Sequence, residues 1–453
     1  MMDWIPQLQG GGKPRYLAIA DAIAQDIQQG RLGSGDRLPP QRRLAASLGI
    51  DFTTVSRAYA EAQARGLVDS HVGRGTFVRP RTPAADPERR RAGDLSMNMP
   101  PEPTDPALIA RMQAGLGTVS ANLIDLLRYQ SPVGAERDRL AAARWLSLRG
   151  MAPSMERIAV TPGAHATMAA ILSIIATPGD RILCERVTYP GIRNIAARFG
   201  VTLVGLGMDA QGVTPEALRT AIAVHKPRAL YLNPTLQNPT TLTIPVERRL
   251  ALAEVLNATG LTLIEDDAYG FIPATSPAPF ASLAPDLTWH IGGLAKCLGA
   301  GLRLAFTIAP SPRCAIRLSQ AIRALSVMPS PLACALATQW IEDGTADSIR
   351  RFLRAESAAR QAIAREALEG LAFEASENAF NLWLTLPEGV GRADVMVKMA
   401  GRSLGLIPSD AFTVEGPPQE RLRVCLGGRI SREDLRENVL FLHQALSPSE
   451  FMG

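Results

Sequence analysis

The sequence predicts two unlike modules: a small basic block of three helices and a hairpin, and a large α/β body. The body is expected to have a mostly parallel sheet and a smaller α+β part at its C-terminal end. Three observations carry this reading. Residues 1–91 hold 14 Lys and Arg against 9 Asp and Glu, whereas residues 92–453 hold 34 of each, so the net charge of +5 lies in the first fifth. From Asp94 onward, apolar runs such as RILCE (181–185), ALYLN (229–233) and LTLIEDD (261–267) follow helix-like stretches at βα spacing. Between the two lies RPRTPAADPERRRAG (79–93), rich in Pro, Arg and Ala without apolar periodicity, which reads as an exposed linker. The expected boundaries are therefore 1–78, 79–93 and 94–453.

The composition narrows the class. Of 453 residues, 46% are hydrophobic and 20% charged, values of a core-forming protein rather than a disordered one. No stretch approaches the roughly eighteen apolar residues of a membrane span, so no membrane partner is expected. The start, MMDWIPQLQGGGKPRY, has no apolar core behind a basic leader, so no secretory signal is expected. Cys184, Cys297, Cys314, Cys334 and Cys425 form no CxxC pair, which argues against a disulfide framework or a thiolate metal site and fits a reducing cytoplasm. Lysine occurs only at 13, 226, 296 and 398, so a lysine within a motif stands out.

In the first block, Tyr16, Ile19, Ala20, Ile23 and Ile27 follow helical spacing, and Gly30 closes that helix. Pro39 and Pro40 start a short second helix through Leu44, Ala45 and Leu48. Gly49 makes a tight turn and Asp51 caps a third helix running to about Arg65. A strand LVDSH, the tip Gly73-Arg74-Gly75 and a returning strand TFV complete a winged helix-turn-helix. The order GxxLPxxRxLAxxLGI…TVxRAYxxxxxxGLV…GxGTFV resembles the GntR-type DNA-binding domain over about 65 residues. The resemblance implies double-stranded operator DNA as a partner, with the third helix in the major groove. It places Thr53 and Thr54 near phosphate or base, Arg42 and Arg57 on backbone or base edges, and Arg74 in the minor groove. Many relatives carry Arg where this chain has Phe52, a side chain suited to touching a thymine methyl.

In the body, WHIGGLAKCLGAGLRLAF sets Lys296 among small residues after an apolar strand, with Arg303 seven positions later. A lysine in a partly dry pocket has a lowered pKa and can form a Schiff base with an aldehyde. Arg303 suits a bidentate phosphate clamp. VTPGAHATMAA reads as strand, turn and helix, so the amides of Gly163, Ala164 and His165 would meet phosphate at a positive helix end. LIEDDAYGF ends a strand with Asp266, a carboxylate suited to a pyridine nitrogen, and Tyr269 follows three residues on. Tyr269 and Asn238 (LQNPTT) can hydrogen-bond a phenolic oxygen, and Tyr189 (RVTYPG) offers a flat stacking surface.

Together these segments, with RYQSPVG (128–134) and ERDRLAAARWLSLRG (136–150), resemble the fold-type I aminotransferases over nearly all of residues 94–453. The resemblance implies pyridoxal 5′-phosphate bound as a Lys296 Schiff base. It further implies a homodimer in which Tyr129 reaches the neighbour's phosphate, and Arg423 (RLRVCLG) on the α-carboxylate of an amino acid ligand. Where relatives usually have Ser or Thr three positions before the lysine, this chain has Gly293, so phosphate binding is expected to lean on Arg303, Thr161 and backbone amides. Asn98, Ala379, Phe380 and Asn381 are expected to line the ligand pocket. Both halves together resemble the MocR subgroup of GntR-like regulators. That implies a cytoplasmic transcription regulator, not an enzyme, whose effector is the cofactor or a small amino compound. The other expectation is an active aminotransferase carrying a DNA-binding module.

Overall fold

The computed structural model describes residues 4–6, 14–33, 35–71, 75–79 and 97–446, and the chain divides into two units, Met1–Arg91 and Ala92–Gly453. The first unit consists of α1 (Arg15–Gln28), α2 (Gln41–Leu48), α3 (Phe52–Ala64) and a hairpin of β1 (Val68–His71) and β2 (Gly75–Val78). Gly49 ends α2 at φ 62°, a left-handed turn that only a residue without Cβ adopts freely, and it aims the chain into α3. The Asp51 carboxylate caps α3 by accepting the Thr53 amide at 2.7 Å. Ile19 and Ile23 from α1, Leu44 from α2, and Val55 and Tyr59 from α3 close over Val68 and Val78 of the hairpin. Val68 faces Val78 in the antiparallel register, and Arg37 bridges to Phe77, so the chain before α2 adds a third edge to the wing.

The second unit is organised by a seven-stranded sheet. Its strands are β3 (Ile158–Thr161), β4 (Arg181–Glu185), β5 (Thr202–Leu206), β8 (Ala229–Leu232), β9 (Thr262–Asp266), β10 (Thr288–Gly293) and β11 (Ala305–Ile308). A two-residue ribbon, β6 (Met208–Asp209) and β7 (Gly212–Val213), lies between β5 and β8 in sequence. The order is β3-β11-β10-β9-β8-β4-β5, and β11 alone runs against the others. Successive residues on one strand enter opposite cores. Ile182, Tyr231 and Ile264 join one cluster, while Leu183, Leu230 and Leu263 join the other. Burial on both faces is why these strands read as unbroken apolar runs.

The C-terminal part has a four-stranded antiparallel sheet of β12 (Phe373–Ala375), β13 (Asn381–Thr385), β14 (Gly405–Pro408) and β15 (Arg421–Cys425), in the order β12-β13-β15-β14. Helices Thr345–Ala367 and Arg432–Leu446 cover it, packing Ala364, Leu435, Val439 and Leu442 on Leu382, Leu384, Leu422 and Val424. Among the described residues, no helix is long and apolar enough to cross a membrane.

Candidate functional site

Arg42, Phe52, Thr53 and Arg57 are all exposed around α2 and α3, and Thr54 is half-buried. The Arg42 guanidinium lies 6.0 Å from the Phe52 ring centroid, and that of Arg57 lies 4.3 Å from the Tyr16 ring. Among the described residues neither arginine has an ion-pair partner, so both cations remain available at a cost of only about 0.5–1 kcal/mol for leaving a ring. Thr53 gives both its amide and its hydroxyl to Asp51 and so serves the cap first. Arg74 lies outside the described residues, as does nearly all of 79–93.

The body's site lies beyond the C-terminal ends of the strands, where parallel sheets bind ligands. Asp266 ends β9, and Lys296 follows β10 in a short 3-10 turn, Leu294–Lys296. Burial and the nearby Arg423 cation pull the Lys296 ammonium down to about 8. Asp266 is buried, and burial pushes its carboxyl up to about 6, against the Tyr231 hydroxyl that donates to Oδ2 at 2.8 Å. Its other oxygen, Oδ1, is buried without a hydrogen-bond partner among the described residues. Asn233 fixes the strand end by donating Nδ2 to the Asp266 carbonyl at 2.6 Å.

Asn238 lies in the loop after β8. Its amide donates to Asn233 Oδ1 at 2.8 Å, and its Oδ1 accepts Arg423 Nη1 at 3.1 Å. The buried Arg249 steadies this loop by donating to the Pro234 carbonyl at 2.8 Å and to Thr235 Oγ1 at 2.9 Å. Arg423 comes from β15, is buried, and lies over the Phe412 ring at 5.2 Å. Tyr269 is buried, accepts Asn98 Nδ2 at 3.0 Å and packs edge-on against Phe380 at 6.1 Å. Tyr189 is half-buried, and its hydroxyl is raised by burial and by the Asp266 charge, while Arg303 and Arg423 lower it. Lys296, Asp266, Tyr189, Tyr269, Arg303 and Arg423 thus share one electrostatic site.

Helix Ala164–Ile175 begins at this site with no side-chain cap and no acidic residue in its first turn. Two expectations change here. The Gly163 amide donates to the Thr161 carbonyl at 2.7 Å, so Gly163, at φ 89°, forms the turn, and the amides of Ala164, His165 and Ala166 are the ones without acceptors among the described residues. The Thr161 hydroxyl is buried between the Ala305 carbonyl at 3.2 Å, Thr307 at 3.1 Å and Thr167 at 2.6 Å, so it braces the sheet and is not directed to a ligand. Arg303 is exposed with no carboxylate partner among the described residues. Burial, with help from Arg303, lowers the pKa of His165. A Cβ placed on Gly293 would meet Ala164 Cβ at 3.4 Å, an ordinary contact, so the backbone here has room for a Cβ. Tyr129 is 86% exposed.

Tyr231, Asn233 and Glu185 escaped the sequence reading. The only signal was a polar atom at strand ends within apolar runs, together with an NPT triplet that occurs twice, at 233 and 238. Glu185 ends β4, accepts the Asn233 amide at 3.0 Å and the Thr188 hydroxyl at 3.1 Å, and is pushed up to about 8 by burial. With its folded value above the unfolded one, the native state holds this proton more tightly. Its contribution is therefore full below about 4.5 and is lost as pH rises through about 8. Glu185→Gln is expected to flatten that loss, on the order of a few kcal/mol, in denaturant melts between pH 5 and 9. Parallel pH profiles for the two proteins would contradict the assignment.

Residues 94–440 match the family model for aminotransferase class I and II, and residues 15–78 match that for bacterial regulatory proteins of the gntR family. The chain is 28% identical over 461 residues to the uncharacterized HTH-type transcriptional regulator YdeF of Bacillus subtilis (strain 168), covering 98% of this chain and 97% of that protein. It is 24% identical over 475 residues to the probable rhizopine catabolism regulatory protein MocR of Rhizobium meliloti, covering 97% and 95%. The crystal structure of LysN, the α-aminoadipate aminotransferase of Thermus thermophilus complexed with N-(5′-phosphopyridoxyl)-L-leucine, superposes with a TM-score of 0.69. The match covers 78% of this chain and 91% of LysN at 22% identity, a likeness of fold. The chain belongs to the aminotransferase class I and II family and, with its gntR-type N-terminal block, to the MocR subgroup of GntR-like regulators.

Proposed function

We propose that this protein is a transcription regulator that grips operator DNA through residues 1–78 and, through residues 94–453, binds pyridoxal 5′-phosphate at Lys296. The cofactor, alone or with a small amino compound, sets the strength of the grip. The observation that carries the reading is the buried Asp266 Oδ1, without a hydrogen-bond partner among the described residues, near a lysine whose ammonium is lowered to about 8, in a chain whose first block is a basic winged helix.

The residues fit the cofactor. When bound, it supplies an aldehyde that captures amines and a ring that draws electrons from them. Asp266 Oδ1 would accept a ring N–H, and Tyr189 would offer the ring a flat surface. Arg303 and the amides of Ala164 and His165 would hold phosphate, with Gly163 shaping their turn. Asn238 and Tyr269 would hold the ring oxygen, and Arg423 the carboxylate of an amino acid. The low Lys296 value keeps an appreciable share of the amine unprotonated near neutral pH, which capture of an aldehyde requires. A homodimer is supported by the exposed apolar set Leu116, Leu123, Ile124 and Leu127 running up to Tyr129, more apolar surface than a free helix end normally leaves in water. Tyr129 would then complete the partner's phosphate site.

On the DNA side, Arg42, Thr53, Thr54, Arg57 and Arg74 would make the contacts, with Phe52 facing the groove. Arg42→Ala is expected to weaken operator binding about 10-fold and to reduce the slope of log affinity against log salt by about 1. Fluorescence anisotropy over a salt series checks this; an unchanged slope would place Arg42 off the phosphates. A second reading, an active aminotransferase, is favoured by the same near-neutral Lys296 and Asp266 pair. Sustained turnover with a keto-acid acceptor, on the order of 1–10³ s⁻¹, would establish it. The regulator reading predicts at most a single slow half-reaction.

A further inference from the structure

Residues 97–101 are the first described stretch after the linker, and they touch the site of the second unit directly. The loop that follows β15 clamps their backbone. The Gly428 amide donates to the Pro100 carbonyl at 3.1 Å, Pro101 bridges Gly428, and a Cβ on Gly427 would lie 1.6 Å from the Met99 carbonyl oxygen. Asn98 is buried, and its Nδ2 donates both to Tyr269 at 3.0 Å and to Asn381 Oδ1 at 2.9 Å. The Asn98 carbonyl accepts the Lys296 amine, and no other donor among the described residues reaches it.

We infer that Asn98 is a positioning residue through which the state of the Lys296 amine is passed to the segment leading back to the DNA-reading block. The inference rests on the cofactor reading above. Condensation of the neutral amine with an aldehyde forms a C=N bond and expels the aldehyde oxygen as water, together with both amine hydrogens. Any single proton the nitrogen then keeps would be held by the neighbouring ring oxygen, so none would be left to donate to the Asn98 carbonyl. When an external amine takes over the aldehyde carbon, the lysine nitrogen regains two hydrogens and can donate again. A buried carbonyl without a donor is unfavourable, so the segment held tightly by the free amine loosens when that amine is engaged. Only such a difference between two arrangements lets a ligand bias the tether.

The test is amide-resolved hydrogen exchange on the full chain with and without pyridoxal 5′-phosphate. The Gly428 amide reports on the segment because its acceptor is Pro100, whereas the Leu426 amide, bonded to the Phe380 carbonyl at 2.6 Å, belongs to the sheet. Loading is expected to speed Gly428 exchange about 10-fold and to leave Leu426 unchanged. In Lys296→Ala, Gly428 is expected to exchange fast in both conditions. Unchanged or slower Gly428 exchange in protein that has turned yellow overturns this inference alone. If no colour develops, the cofactor reading falls and the inference falls with it.

Discussion

Lys296→Ala is expected to abolish the absorption band at about 400–430 nm that a lysine-bound pyridoxal cofactor gives, and to let the cofactor wash out on dialysis. Loss of the covalent link should weaken retention at least about 100-fold, or roughly 2.7 kcal/mol, because phosphate and ring contacts alone remain. The variant should fold, because Lys296 lies in the short turn after β10 rather than within the sheet. Spectra before and after dialysis, beside far-ultraviolet circular dichroism, make the check. A variant that folds and stays equally yellow would show that another amine carries the cofactor.

The second large effect is expected at Asp266. Asp266→Asn keeps the shape and the Tyr231 contact but cannot balance a positive ring nitrogen, so cofactor affinity should fall about 10–100-fold, or roughly 1.4–2.7 kcal/mol. The pH dependence gives the sign. Burial raises the Asp266 carboxyl to about 6, so the empty site gains a proton as pH falls through that value and loses its negative charge. Wild-type affinity should therefore weaken from pH 7 towards pH 5, while the variant shows no Asp266-dependent change in that window. Absorption titrations at several pH values read this directly, and superimposable profiles would remove Asp266 from the ring nitrogen.

Much of this site was legible because its chemistry sits in local words. Lys296 stands among small residues, Asp266 ends an apolar run, and the winged helix announces itself through Gly49, Asp51 and the Gly-tipped hairpin. What escaped depends on chain-distant contacts. Asn98 meets Tyr269 across 171 positions and Arg423 meets Asn238 across 185, separations on which local periodicity is silent. Hydroxyl direction was equally hidden: Thr161 turns its hydrogen bonds into the sheet, and the Gly163 amide is used by its own turn. The two NPT triplets look alike as text, yet Asn233 anchors the Asp266 strand while Asn238 meets Arg423. Strands β12 and β14 went unread because three or four residues are too few to show alternation.

Coupling between cofactor and DNA is tested most directly by the operator affinity of the full-length protein at one fixed salt concentration, measured with saturating pyridoxal 5′-phosphate and without it. A change of about 5-fold or more is expected, roughly 1 kcal/mol of coupling between the two sites. Equal affinities in protein shown by its colour to be loaded would contradict it.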